Sequence, residues 1–206
     1  MKEKWNLELS EYIKQGEPTQ VEKTRNWETA IGLQEVDGLK PSKYLVETAK
    51  EHIEGKIELE EVKERINNYY KILNDRKSEE KEDSEEADKV SVRITEVLSD
   101  KSFSFNPTEL ISIHKKLFTG VYKHAGIIRN YNFTKNEWIL NEDTVTYASY
   151  ETIMSTLDYD FEQEKNFSYK DLSLDESIKH LCRFTSNIWQ VHPFCEGNTR
   201  TTAVFI

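Results

Sequence analysis

Cysteine is nearly missing from this chain of 206 residues: Cys182 and Cys195 are too few for a disulfide framework and suit a reducing compartment. Long apolar runs are missing too. No stretch approaches the roughly 20 apolar residues that cross a bilayer, so no membrane partner is expected. The opening Met1-Lys2-Glu3-Lys4-Trp5 lacks the apolar stretch of a secretion signal; the cytosol is the default expectation, with a secreted effector left open. Positive charge is outweighed, since 28 Lys and Arg against 38 Asp and Glu leave a net charge of −10. No basic patch offsets phosphate repulsion, so a nucleic-acid partner is not expected either. Internal repeats are absent as well.

What is there reads as a soluble, mainly α protein. Hydrophobic residues make up 36% and charged residues 32% of the chain. Its 24.3 kDa allow one compact domain with an appendage, which buries about 70% of the unfolded surface. Residues 7–15 read as a short helix stopped at Gly16-Glu17-Pro18, and Thr19 with Glu22 as a capping box opening a helix toward Gln34. Asp37-Gly38 marks a turn, Pro41-Ser42 starts a further helix, and Gly55 ends it. Val62, Ile66, Tyr69 and Leu73 form an amphipathic stripe. The charged stretch from Asp75 to Glu86 has no apolar residue; it reads as a linker or as a solvated extension of the flanking helices. The expected partition is therefore a helical region at 1–74, a linker at 75–87 and a second domain at 88–206.

In that second stretch, Val90, Ile94 and Val97/Leu98 mark a helix. Asn106-Pro107-Thr108-Glu109 combines an N-cap, an N1 proline and an N3 glutamate ahead of Leu110, Ile113 and Leu117. His114 and His124 read as surface or packing histidines. Residues 126–147 change character, with Tyr131, Phe133, Trp138, Val145 and Tyr147 around polar turns, and suggest a short hairpin. Ser173-Leu174-Asp175-Glu176 is another capping box, opening a helix that carries Ile178, Leu181, Phe184 and Ile188.

That helix runs into the most informative segment, His192-Pro193-Phe194-Cys195-Glu196-Gly197-Asn198-Thr199-Arg200. It reads as a polar loop between two apolar helices. His192 titrates near neutral pH and suits a general base. Gly197 reaches positive φ without penalty and Asn198 tolerates it best among other residues, so the turn can aim backbone N–H groups into an anion nest. The following helix start adds unpaired donors. Arg200 can fork onto phosphate oxygens, Glu196 is a hard ligand for Mg²⁺, and Phe194 is an apolar pin for the loop. From average residue frequencies, H-x-F-x-[DE]-G-N-x-R arises by chance in a chain this long with a probability on the order of 10⁻⁵.

These residues resemble the signature of the Fic family (filamentation induced by cAMP), written HxFx[DE]GNGRxxR. His192, Phe194, Glu196, Gly197, Asn198 and Arg200 match it in order; Thr199 replaces the second glycine and Ala203 the final arginine. The resemblance covers roughly residues 88–206. It implies a Fic-type helical bundle with a β-hairpin flap, and transfer of AMP from ATP to a Ser, Thr or Tyr hydroxyl of a target protein or of the chain itself. By resemblance, His192 is the catalytic base and Glu196 holds Mg²⁺ against the α- and β-phosphates. Phe194, Gly197, Asn198, Thr199 and Arg200 make up the nucleotide-binding loop. The flap, at residues 126–147, is where a target segment is expected to dock by strand addition. A Fic-type transferase using another nucleotide donor or moving phosphate, and a non-catalytic interaction module of the same fold, stay open.

The N-terminal helical region resembles the small antitoxin-like domains fused to some relatives, which inhibit through an [ST]xxxE[GN] helix. No stretch here fits it fully. Glu35 has Ile31 four residues earlier, Asp37 is one methylene short, and Glu54-Gly55 has Lys50 in place of the hydroxyl. Glu35 is the inhibitory candidate by helix position. In relatives the final arginine binds the γ-phosphate and is the partner of the inhibitory glutamate. With alanine at 203, weak or lost inhibition is expected. Relatives also continue beyond the apolar segment Thr201 to Ile206, so a cut chain or packing from a partner is expected at this end.

Overall fold

The computed structural model of the chain describes residues 9–10, 12–13, 18–75, 82–136 and 144–206. It is mainly helical with very little strand, and it divides into two compact units, Met1–Lys101 and Ser102–Ile206.

The first unit holds α1 (Pro18–Val36), α2 (Lys43–Ile53), α3 (Leu59–Asp75) and α4 (Glu82–Ser99). Leu9, Ser10, Tyr12 and Ile13 are helical ahead of them, and the rest of the expected first helix lies outside the described residues. Pro18 opens α1 instead of ending the segment before it, because its fixed φ suits a first helical turn. Thr19, the expected cap, therefore lies inside α1. Ser42 caps α2 by accepting from the Leu45 N–H, and Gly55 follows its end at φ 74°. Trp27, Ile31, Leu45, Ile53, Val62 and Ile66 share one buried cluster, each contributing about 1.5–3 kcal/mol by removal from water. Trp27 Nε1 donates to His52 Nδ1 at 3.0 Å. Asp88 of α4 accepts from the Ser42 N–H at 2.8 Å and from the Tyr70 hydroxyl at 2.7 Å, tying α4 to α2 and α3. In the charged stretch, α3 runs to Asp75 and α4 starts at Glu82; residues 76–81 lie outside the described residues. The boundary at Lys101 places all of α4 in the first unit, whereas the expected partition divides it at residue 88.

The second unit contains α5 (Pro107–Phe118), a hairpin of β1 (Lys135–Asn136) and β2 (Thr144–Val145), a 3₁₀ turn (Tyr150–Thr152), α6 (Ile153–Asn166), α7 (Leu174–Val191) and α8 (Asn198–Phe205). Asn106 caps α5 by accepting from the Glu109 N–H at 2.8 Å, with Pro107 in the first turn. Ser173 and Glu176 make the reciprocal capping box of α7. Leu110, Ile113 and Leu117 of α5, Leu157 and Phe161 of α6, Phe184 and Ile188 of α7, and Phe205 of α8 are buried together. Phe105 packs on Phe161 and Phe184 at 5.0 and 5.5 Å. The α7 stripe is only half covered: Ile178 and Leu181 are 49% and 41% exposed. Periodicity marks a helical face, but burial also requires a neighbour over that face. The hairpin strands pair antiparallel, Lys135 with Val145 and Asn136 with Thr144. Their connection at 137–143, including Trp138, lies outside the described residues.

Candidate functional site

The site is the bend between α7 and α8. α7 ends on His192, which adopts a left-handed conformation at φ 51° and ψ 61°. That region costs a non-glycine residue about 1–2 kcal/mol, and the proline that follows disfavours helical backbone at this position. The strain persists because the surroundings hold it. The imidazole stacks on Tyr147 at 4.0 Å and meets the edges of Phe133 and Trp189. Only 8% of the residue is exposed. Burial pushes the His192 pKa down to about 4, helped by the positive charges of Lys135 and Arg129 and opposed by the Trp189 carbonyl. At neutral pH the ring is uncharged and able to accept a proton.

Arg129, given no role from sequence, clamps this bend. Its Nε donates to the His192 carbonyl at 2.8 Å and one terminal nitrogen to the Val191 carbonyl at 3.2 Å, so it satisfies carbonyls that the helix end leaves open. The same guanidinium donates to Ala148 and to Tyr131, residues flanking the hairpin on either side. Its backbone N–H donates to the Pro193 carbonyl at 2.9 Å. One buried side chain thereby joins the motif to the base of the flap. The only sequence signal for it was a lone arginine between two polar turns.

The loop is fixed from the other side by α5. Phe194, 1% exposed, stacks on His114 at 3.7 Å. His114 Nδ1 accepts from the Gly126 N–H at 2.8 Å, which assigns the proton to Nε2, facing the Glu196 carbonyl at 3.0 Å. Burial lowers His114 to about 4, as this neutral tautomer requires. Of the two readings left open by the sequence, surface or packing, His114 takes the second, and it sets the path of the motif backbone.

Gly197 takes the left-handed turn at φ 75°, and a Cβ there would meet Phe118 Cε2 at 2.5 Å. Asn198 does not share that conformation, contrary to expectation. It is the first residue of α8, and the second left-handed residue of the loop is His192. The Asn198 amide accepts from the Phe194 N–H at 2.9 Å and donates to its carbonyl at 2.8 Å, bracing the bend. Thr199 Oγ1 accepts from Trp189 Nε1 at 3.1 Å and caps nothing. Arg200, 1% exposed, lies 4.8 Å over the Phe118 ring and donates to the Tyr122 hydroxyl at 2.8 Å. The Thr201 N–H donates to the Gly197 carbonyl at the N-terminal end of α8, where the first amides of a helix have no partner within the helix itself. The Glu196 side chain is exposed beside that end. Ala203 is exposed on α8. Glu35 lies on α1 in the first unit, also exposed.

His192, Phe194, Glu196, Gly197, Asn198, Thr199 and Arg200 are therefore parts of one braced loop. Among the described residues no group of three or more His, Cys, Asp or Glu side chains is arranged to hold a metal alone. A divalent ion here would need oxygens from a polyphosphate and water in addition to Glu196. Also among the described residues, no helix is long and apolar enough to cross a membrane. A family model described as the Fic/DOC family matches residues 104–206. No curated protein and no solved structure matches the chain.

Proposed function

Because the chain belongs to the Fic/DOC family, we propose that it transfers AMP from ATP to a Ser, Thr or Tyr hydroxyl of a target protein. What supports this reading is the His192 imidazole, stacked on Tyr147 at the end of α7 and on the same short loop as the first turn of α8. Neutral His192 takes the proton of the incoming hydroxyl, whose oxygen forms a bond to the α-phosphorus while the bond to pyrophosphate breaks. A positioned base typically contributes about 10²–10⁴-fold.

The donor amides at the start of α8 and its dipole favour the polyphosphate. They are positioned by Gly197 and by the Asn198 brace. Glu196 is the one motif carboxylate, and it fits a Mg²⁺ that arrives with the nucleotide; bound there, the ion supplies charge neutralisation. Arg200 supports the loop from beneath and adds positive charge to it. The hairpin, joined to His192 through Arg129, offers backbone groups to an extended target segment. Glu35 is the inhibitory candidate, and the missing arginine at position 203 argues for weak inhibition.

Intact mass spectrometry after incubation with ATP and Mg²⁺ tests the reading. An AMP adduct on the chain or on a co-purifying protein, absent with His192→Ala, is the expected result. An adduct formed at the wild-type rate by His192→Ala refutes the role of the base.

A further inference from the structure

A cavity of about 290 Å³ lies between the hairpin and the helices. Three elements line it: Thr146 and Ala148 after β2, Thr156 and Asp160 of α6, and Asn187 and Gln190 of α7. The helical pairs are three or four residues apart and therefore share a face. Two further lining residues tie the cavity to the motif. Val191 immediately precedes His192, and the Tyr147 ring stacks on its imidazole at 4.0 Å.

Asp160 is the one charged residue in this lining. Among the described residues it has no hydrogen bond and no ion pair, and loss of water alone raises its pKa. A half-buried carboxylate without a partner is unfavourable, and a cation brought by a ligand relieves it. The Thr156 hydroxyl and the amide oxygens of Asn187 and Gln190 add acceptors, which suit an ammonium or guanidinium with several N–H donors. α6 is itself acidic, with Asp158, Asp160, Glu162 and Glu164 against Lys165. A phosphate group is repelled here. The volume sits at the lower end for small-molecule sites, about 300–1,000 Å³, and matches a single side chain better than a nucleotide.

We propose that this cavity receives a lysine or arginine side chain of the target segment, so that the protein selects hydroxyls flanked by a basic residue. The inference rests on the reading that a target segment docks along the hairpin. In an added strand, side chains two positions apart lie on one face about 7 Å apart. The basic residue is therefore expected within a few positions of the modified hydroxyl.

A randomised peptide library with a fixed central Tyr, Ser or Thr tests this in two arms. In the first, immobilised full-length protein retains peptides at low salt without nucleotide, and the bound pool is sequenced. Lysine and arginine should be enriched at one flanking position. Asp160→Asn should lower that enrichment about tenfold, the usual scale of a charge-assisted hydrogen bond. Asp160→Lys should shift the preference to acidic residues. Thr156→Arg, which fills the cavity with its own guanidinium beside Asp160, should abolish the preference while the fold is retained. A bound pool without basic enrichment, or enrichment unchanged in Asp160→Asn, overturns the assignment. In the second arm, ATP and Mg²⁺ are added and adducts are sequenced. Basic enrichment in the first arm with no adduct in the second supports the cavity assignment and sinks the transfer reading instead.

Discussion

Replacing Gly197 with alanine probes the tightest constraint in the loop. Two separate effects follow from the geometry. At φ 75° an alanine takes on left-handed strain, worth about 1–2 kcal/mol. Its Cβ would also stand 2.5 Å from Phe118 Cε2 and 2.6 Å from Cζ. Phe118 is fully buried, stacked on Tyr122 at 4.8 Å, 4.9 Å from His114, and covered by the Arg200 guanidinium at 4.8 Å. The ring cannot swing away without disturbing the motif, and such overpacking costs typically about 1–3 kcal/mol. The total is about 2–5 kcal/mol. Gly120→Ala is the control: its φ is 76° but nothing lies within 4 Å of the added Cβ, so it carries the strain alone. Urea denaturation of both variants should place Gly197→Ala about 1–3 kcal/mol below Gly120→Ala. Calorimetry should show weaker binding of Mg·ATP in the former only. Equal destabilisation of the two would refute the argument that Phe118 fixes this turn.

Other residues give further expectations. Arg129→Met leaves the Val191, His192, Ala148 and Tyr131 carbonyls without their donor and should lower stability by about 3–5 kcal/mol; Arg129→Lys should restore only part of this, because an ammonium cannot fork across four acceptors. A melt matching wild type would remove the clamp. His52, His114 and His192 have folded pKa values of about 4 against 6.5 when free, so the unfolded chain takes up protons first as pH falls. Their contribution is complete above 6.5 and fades toward pH 4, at most on the order of 3 kcal/mol for each. Denaturation midpoints that stay flat between pH 7 and 4 would contradict this, and His114→Phe should shallow the slope. Glu35→Ala should leave self-modification unchanged; a many-fold rise would show that inhibition works without an arginine at 203.

Much of this was legible in the sequence because the signals were local. The Asn106-Pro107 start of α5, the Ser173–Glu176 box and the Ser42 cap are each contained within four residues, and each stands where its pattern puts it. The loop residues were visible as a group for the same reason. What was not legible depends on distant partners. Ile178 and Leu181 follow the apolar period of α7, yet no described element covers them. The period of a helix says nothing about its neighbours. Asn198 was expected to make the turn, and it braces the turn from α8 because Gly197 already supplies the positive φ. Arg129 and His114 act through contacts 63 and 82 residues away in sequence, and no spacing rule reaches that far.

Transfer of an adenylyl group at the His192–Arg200 bend fixes the fate of each phosphorus of ATP. Parallel incubations of the chain and its protein targets with ATP labelled at the α- or at the γ-phosphorus test it most directly. Label on protein should come from the α position alone and be lost in His192→Ala. Protein label from the γ position, or from neither position, would contradict it.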